Sequence, residues 1–302
     1  MTVNKSSDIG FIGLGLMGSA MVNRMQDLDY SLTVLGRKRR EAIDTAVSRG
    51  ATEAANAKEL ANSADIIMLC VDTSNSVESI FFSENGIMEG IKPGTIVIDF
   101  GTSIPDSTKS IAEKLKEVGS YYLDAPLGRT PGHAKQGLLN IMAAGDKTVF
   151  NAVEPVLQDL GENVFHVGSI GSGHTLKLIN NFFGMTLATA MSEAFAIADL
   201  AGISRQELYD IMSAGPLHSP MMDFIKANAV DGDPKKLAFS IANADKDIGY
   251  YLSMTDNFKV ESFIGTATKN ALAEANSHGF GDKDVPTMVD FIAKKFANTT
   301  KS

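Results

Sequence analysis

A short apolar strand that runs into three glycines and out into a helix leaves the start of this chain very few folds to choose from. Asp8-Ile9-Gly10-Phe11-Ile12 leads into Gly13-Leu14-Gly15-Leu16-Met17-Gly18, and Ala20, Met21, Met25 and Leu28 follow in a helical pattern. With glycines at the first, third and sixth places, the first makes a tight turn. The second lets a pyrophosphate approach the backbone, and the third lets the helix pack on the strand. A helix opening at Leu16 and Met17 offers free N–H groups and its dipole to an anion. Glycine-rich turns share this spacing, but the position between strand and helix points to a dinucleotide. Gly13, Gly15, Leu16, Met17 and Gly18 are the expected phosphate-binding residues.

The pattern then alternates. Apolar strand-like runs at 31–35, 66–71 and 95–99 are separated by helical patterns at 41–49, 58–62 and 76–82, with another at 105–118. Apolar strands alternating with helices predict a doubly wound, mostly parallel sheet covered on both faces. Loops at the carboxyl ends of such strands line the cofactor crevice, which brings in Val71, Asp72 and Thr102. Thr102 has two readings: contact on the nicotinamide side, or capping of the helix that starts at Pro105. The second strand ends at Gly36, where an NAD site would carry Asp or Glu, and Arg37-Lys38-Arg39-Arg40 follow. Four cations at a helix start oppose its dipole. They form either a solvated basic face or a 2′-phosphate site, with Arg37 as the forked donor and Lys38 or Arg39 assisting. The phosphate reading predicts NADP as cofactor, with NAD possible.

The second half changes character. From Thr175 to Ala201 there is no proline, and the only charges are Lys177, Glu193 and Asp199. A helix this apolar is expected at the buried centre of a domain. Lys177, Asn180, Asn181 and Gly184 share one face of it. Lys177 either snorkels there while the asparagines bond locally, or serves a site. Further helical patterns at 205–213, 220–230, 242–255, 267–277 and 285–296 carry no strand alternation, so this part reads as all-helical. The glycine-rich segment 168–173 sets the expected boundary: a nucleotide-binding domain over 1–168, then a helical substrate and oligomerisation domain over 169–302, entered by the long helix 174–201.

Composition removes several functions. A net charge of −9 argues against nucleic acid or an anionic membrane as the main partner. Cys70 is the single cysteine, which leaves no internal disulfide and no cysteine-rich metal site. No carboxylate–histidine spacing suggests a metal. With no signal peptide and no long apolar span, a cytoplasmic protein is expected.

Taken together, the glycine turn, the loop Asp124-Ala125-Pro126-Leu127-Gly128-Arg129-Thr130 and the run Lys177-Leu178-Ile179-Asn180-Asn181 resemble the β-hydroxyacid dehydrogenase family over nearly the whole chain. The resemblance implies an oxidoreductase with a Rossmann-type domain and an all-α domain. It implies Lys177 as the catalytic lysine, Asn181 beside the substrate, and Lys246 with Asp247 as a pair near the cofactor. An exposed ion pair is the alternative for the last two. Thr102 and the loop at 71–72 match cofactor contacts. In the family the loop normally carries Ser-Gly-Gly where this chain has Gly128-Arg129-Thr130, and those residues hold the substrate carboxylate. Gly-Arg-Thr resembles the sulfolactaldehyde reductase branch instead.

Hydride transfer needs placement of the nicotinamide against a carbonyl and a proton for the resulting alkoxide. Lys177 is the expected general acid or base, its charge stabilising the oxyanion. Arg129 presents five donors and a permanent charge, and with Gly128 and Thr130 suits a three-oxygen head group such as sulfonate; its alternative is a surface arginine in a flexible loop. Asn180 is placed to assist the anion site. His133 and His174 read as packing or surface residues, and His218 lies in a loop that either closes over substrate or simply turns. The expected reaction is reduction of a short anionic aldehyde by a homo-oligomer, a dimer or tetramer. The competing readings are a carboxylate-specific 3-hydroxyisobutyrate dehydrogenase or tartronate semialdehyde reductase, an imine reductase, and an inactive association module.

Overall fold

Four-residue aliphatic runs build the sheet of the first half. A computed structural model describes residues 5–36 and 40–299. Its first eleven regular α and β elements alternate: β1 (Ile9–Ile12), α1 (Leu16–Asp27), β2 (Leu32–Leu35), α2 (Arg40–Ser48), β3 (Thr52–Glu53), α3 (Ala57–Ser63), β4 (Ile66–Leu69), α4 (Ser74–Phe82), β5 (Ile96–Asp99), α5 (Pro105–Glu117) and β6 (Tyr121–Asp124). The six strands are parallel, in the order β3-β2-β1-β4-β5-β6. β1 is flanked by β2 and β4, so the chain reverses direction across the sheet at the end of β1, where the glycine turn sits.

Successive strand residues point to opposite faces, and the core divides accordingly. Ile9, Phe11, Ile66, Met68, Ile96 and Ile98 pack on one face. Ile12, Ile67, Leu69 and Val97 pack on the other. Each such side chain contributes roughly 1.5–3 kcal/mol when fully buried. The sequence expectation of a doubly wound parallel sheet followed by helices is met.

A second, smaller sheet was not foreseen. β7 (Leu127–Gly128), β8 (Leu139–Ala143) and β9 (Gly161–His166) form a mixed three-stranded sheet, with α6 (Pro131–Lys135) and α7 (Lys147–Leu160) between its strands. β7 is only two residues long and lies inside a loop rich in proline and glycine, which hides it from any periodicity.

The chain folds into two compact units, residues 1–177 and 178–302. The division falls inside α8 (Ser172–Leu200). The second unit adds α9 (Arg205–Ser213), α10 (Pro220–Ala229), α11 (Ile241–Asn257), α12 (Phe263–Ala275) and α13 (Met288–Thr299), with no strand among its described residues. Met185, Ala188, Phe195, Ile225, Ile248, Leu272 and Met288 are in its core. α8 is not the wholly buried rod that its composition suggests. Leu178, Asn181, Met185, Ala188, Ser192 and Phe195 are buried, whereas Leu176, Ile179, Phe183, Leu187 and Ile197 are exposed at the same three-and-four spacing. No helix among the described residues is long and apolar enough to cross a membrane.

Candidate active site

The glycine turn has the shape its spacing predicts. Gly13 has φ +101°, and a Cβ there would stand 2.4 Å from the Cys70 carbonyl oxygen. A Cβ on Gly18 would stand 1.9 Å from the Gly13 carbonyl oxygen, so helix and turn touch only because Gly18 lacks a side chain. Gly15 is different: a Cβ there would meet none of the described residues within 4 Å. It is the N-cap of α1, no side chain among the described residues caps that end, and the first turn carries no acid. Open space in front of an uncapped helix start fits a pyrophosphate, so these residues suit a dinucleotide. Arg37 and Lys38, the expected 2′-phosphate ligands, lie outside the described residues. Gly36 packs closely on Ile43, and Arg40 is occupied by Asp44 and Glu53 at 2.7 Å.

At the neighbouring strand ends, Val71 is half-buried and Asp72 exposed. Thr102 is half-buried, and α5 takes Ile104 as N-cap without a side-chain bond, so Thr102 does not cap that helix. Behind it lies a group of fully buried polar side chains that sequence reasoning missed. Asp99 and Asp124 end β5 and β6 at paired positions. Asp99 accepts from the Gly101 N–H (2.8 Å), the Ser103 hydroxyl (3.2 Å) and the Tyr122 hydroxyl (3.0 Å). Burial, then the charge of Asp99, pushes the Tyr122 hydroxyl well above its ordinary pKa, which keeps it a donor. Asp124 accepts from the Gly171 and His174 N–H groups at 2.8 Å. Burial raises its carboxyl; His174 and those backbone donors pull the other way. One signal was visible beforehand: two apolar strands each end in aspartate.

α8 starts on this group. His174, in its first turn, is fully buried, and Lys177, one turn on, is half-buried. Asn181 follows one further turn along the same unbroken helix. In the second unit, Asn181 donates to Asp247 at 2.7 Å, and Lys246 Nζ lies 2.9 Å from the other carboxylate oxygen. Asn181 and Asp247 are buried, and Lys246 also stands 5.1 Å from the centre of the Tyr250 ring. The exposed-ion-pair alternative for Lys246 and Asp247 does not describe Asp247, which is buried and bonded to a buried asparagine as well. Asn180 is exposed and donates to Asn181 at 3.2 Å.

The Gly128–Thr130 segment is the last of the expected site segments. Arg129 has φ +77°, the left-handed region that glycine favours, at the place where the resembled family carries glycine. The chain keeps the turn and adds a guanidinium. That guanidinium donates to the Leu138 carbonyl at 2.7 Å and to the Glu162 carboxylate. Thr130 shares a hydrogen bond with His133 at 2.8 Å, while Gly128 pairs with Asn140 between β7 and β8. His133 and His218 are exposed, the latter against Asp223 at 2.9 Å.

Comparison with known proteins places this geometry. Residues 8–168 match the model of the NAD-binding domain of 6-phosphogluconate dehydrogenase. Residues 171–292 match the NAD-binding model of NADP-dependent 3-hydroxyisobutyrate dehydrogenase. The chain belongs to the 3-hydroxyisobutyrate dehydrogenase-like family. It is an NAD(P)-dependent hydroxyacid dehydrogenase or reductase, and it carries NAD(P)-binding domains. It is 28% identical over 293 residues to the 3-sulfolactaldehyde reductase of Escherichia coli (strain K12), covering 97% of this chain and 98% of that protein. It is equally 28% identical, over 285 residues, to glyoxylate/succinic semialdehyde reductase 1 of Arabidopsis thaliana, covering 94% and 98%. The crystal structure of a 3-hydroxyisobutyrate dehydrogenase from Salmonella typhimurium superposes with a TM-score of 0.83 at 25% identity, covering 95% of this chain and all of that one.

α8 carries buried polar residues in both units, among them His174 in the first and Asn181 in the second. Asp124 and His174 hold its first turn in one unit, and Asp247 holds Asn181 in the other.

Proposed function

We propose that this enzyme reduces a short aldehyde bearing a terminal anion, with 3-sulfolactaldehyde to 2,3-dihydroxypropane-1-sulfonate as the leading reaction and NADPH as the preferred donor. The observation that carries it is Arg129, a guanidinium set into a backbone turn of glycine geometry beside Thr130. The full-length likeness to the Escherichia coli sulfolactaldehyde reductase supports the same direction. A division of labour goes with it: residues 1–168 bind the cofactor, and residues 169–302 complete the substrate site and the subunit contacts.

Bound NAD(P)H supplies the hydride. Gly13, Gly15, Leu16, Met17 and Gly18 hold its pyrophosphate, and Gly36, Arg37 and Lys38 select the 2′-phosphate. Val71, Asp72, Thr102 and Lys246 complete the cofactor contacts. Lys177 donates its proton to the oxygen as the alkoxide forms, and accepts it in the reverse direction. Asn181, its amide fixed by Asp247, holds the substrate hydroxyl or the lysine at a set angle. Gly128, Arg129, Thr130 and Asn180 receive the anionic end. To do so Arg129 turns its guanidinium from Glu162 to the substrate, trading one charged bond for another.

A second reading has its own support. The Arg129 guanidinium already has two acceptors, Leu138 and Glu162, which favours a carboxylate held by backbone N–H groups of the same turn. A panel of sulfonate and carboxylate aldehydes with NADPH and NADH, run on wild type and Arg129→Ala, separates the two. Sulfonate recognition predicts a loss of about 10–100-fold in kcat/KM on the sulfonate alone, since one charged hydrogen bond is worth roughly 1.5–3 kcal/mol. A clear carboxylate preference in wild type rejects it, and better use of NADH rejects the assignment of Arg37 and Lys38.

We also infer a homo-oligomer in a cytoplasmic setting. The exposed Leu176, Ile179, Phe183, Leu187 and Ile197 give α8 a largely apolar outer face, interrupted by Asn180, and such a face suits a second copy of itself across a two-fold axis.

A further inference from the structure

Two aspartates at the ends of adjacent strands, both fully buried, are costly features for a protein to keep, and neither belongs to the substrate or cofactor contacts assigned above. What they hold is the start of α8. Asp124 accepts the backbone N–H groups of Gly171 and His174, the work of an N-cap, but from a strand some fifty residues earlier. The approach is close enough that a Cβ on Gly173 would stand 2.3 Å from the Met142 carbonyl oxygen and 2.8 Å from the Asp124 carboxylate. The His174 ring fills the same space from the helix side. Its Nδ1 lies 2.7 Å from the Thr108 hydroxyl on α5, and its Nε2 lies 3.7 Å from Asp99. Nε2 is buried with no hydrogen-bond partner among the described residues, and it faces the Asp99 carboxylate. With the proton on Nε2, on the side of Asp99, Nδ1 accepts the Thr108 hydroxyl proton at 2.7 Å in place of that hydroxyl's longer, 3.2 Å bond to the Ile104 carbonyl. The opposite tautomer would set a lone pair against a carboxylate.

We propose that His174 and Asp124 are positioning residues for Lys177: they fasten the first turn of α8 to the ends of β5, β6 and the start of α5. The ammonium one turn on then has a fixed place from which to donate. The proposal rests on Lys177 as the proton donor. Its physical basis is that a helix start held only by its own backbone frays, and a displacement of about 1 Å at a reacting group can cost on the order of a hundredfold in rate. Of the ionisable groups around His174, Asp99 on β5 faces Nε2 and Asp124 on β6 accepts the His174 N–H; Tyr122 on β6 donates to the same Asp99, and Lys109 of α5 stands beside Gly171.

The test compares His174→Leu, His174→Gln and Thr108→Val in the full-length enzyme. His174→Leu should lower kcat by about tenfold or more while KM for the aldehyde and Kd for NADPH stay within about threefold. It should also shift the pH profile of kcat. His174→Gln keeps an acceptor for Thr108 and a donor toward Asp99, and should restore both to near wild type. Thr108→Val, which removes one partner and leaves the ring, should fall between the two and serves if His174→Leu does not fold. Amide hydrogen exchange over residues 172–180 is read in parallel, and should be faster in His174→Leu and normal in His174→Gln. Wild-type kcat and exchange in folded His174→Leu overturn the proposal. So do losses in Gln as large as in Leu that merely follow the fall in Tm. Lys177→Met, run alongside, separates the two claims: if it retains turnover, the lysine assignment fails, and exchange alone then decides whether His174 holds the turn.

Discussion

The two units spend their buried polar groups in different ways. In the first, Asp99, Ser103, Thr108, Asp124 and His174 gather at the carboxyl ends of neighbouring parallel strands, where β5, β6, α5 and α8 meet. In the second, Ser192 and Thr255 bond to carbonyls of their own helices, and only Asn181 with Asp247 makes a buried side-chain pair between charged and polar groups among the described residues there. Parallel strands leave a whole row of ends pointing one way, so one edge collects many residues. Helices in a bundle offer single facing positions. The outcome is a dense polar edge in one unit and one fixed amide in the other.

The contrast breaks first at the glycine turn. Gly18→Ala drives a Cβ into the Gly13 carbonyl, and should lose NADPH binding by about a hundredfold or more together with several degrees of Tm. Gly15→Ala should separate those effects. Its Cβ meets no atom of the described residues within 4 Å, so Tm should hold while Kd for NADPH rises about tenfold, measured by fluorescence titration. Equal losses in both variants would mean that the turn is purely structural. In the helical unit, Asn181→Ala leaves one oxygen of buried Asp247 without its donor. It should cost about 1–3 kcal/mol in urea unfolding in addition to a fall in kcat. Unchanged stability would show that the pair is not a strut. The smallest effect on folding is expected at Phe183→Lys, on the exposed stripe of α8: stability within about 0.5 kcal/mol, but a shift toward smaller species in sedimentation. An unchanged sedimentation coefficient would leave that stripe without the partner inferred for it.

Much of the first unit was legible because its motifs are local. The strand, the glycine spacing and the following helix are consecutive, and the apolar runs of β4 and β5 announce themselves without any partner. The interior of α8 was misjudged because composition does not tell which neighbours exist: Leu178 and Ile179 are equally apolar, yet only one is covered. β7 and the mixed sheet were missed because two residues carry no period. His174 read as packing because its partners, Thr108, Asp99 and Asp124, lie 50 or more residues away. The lysine and asparagine of α8 stood out because polar residues on one face of an apolar helix need a reason. Arg129 stood out by departure from glycine, and its backbone angle explains why that position ordinarily takes glycine.

The proposed chemistry stands or falls on the ammonium of Lys177. Lys177→Met, saturated with NADPH and aldehyde and followed by single-turnover absorbance, should slow reduction by about a hundredfold to ten-thousandfold while Kd for NADPH stays within about twofold. Reduction at the wild-type rate in that variant would contradict the mechanism directly, because no other group assigned to the site supplies the proton.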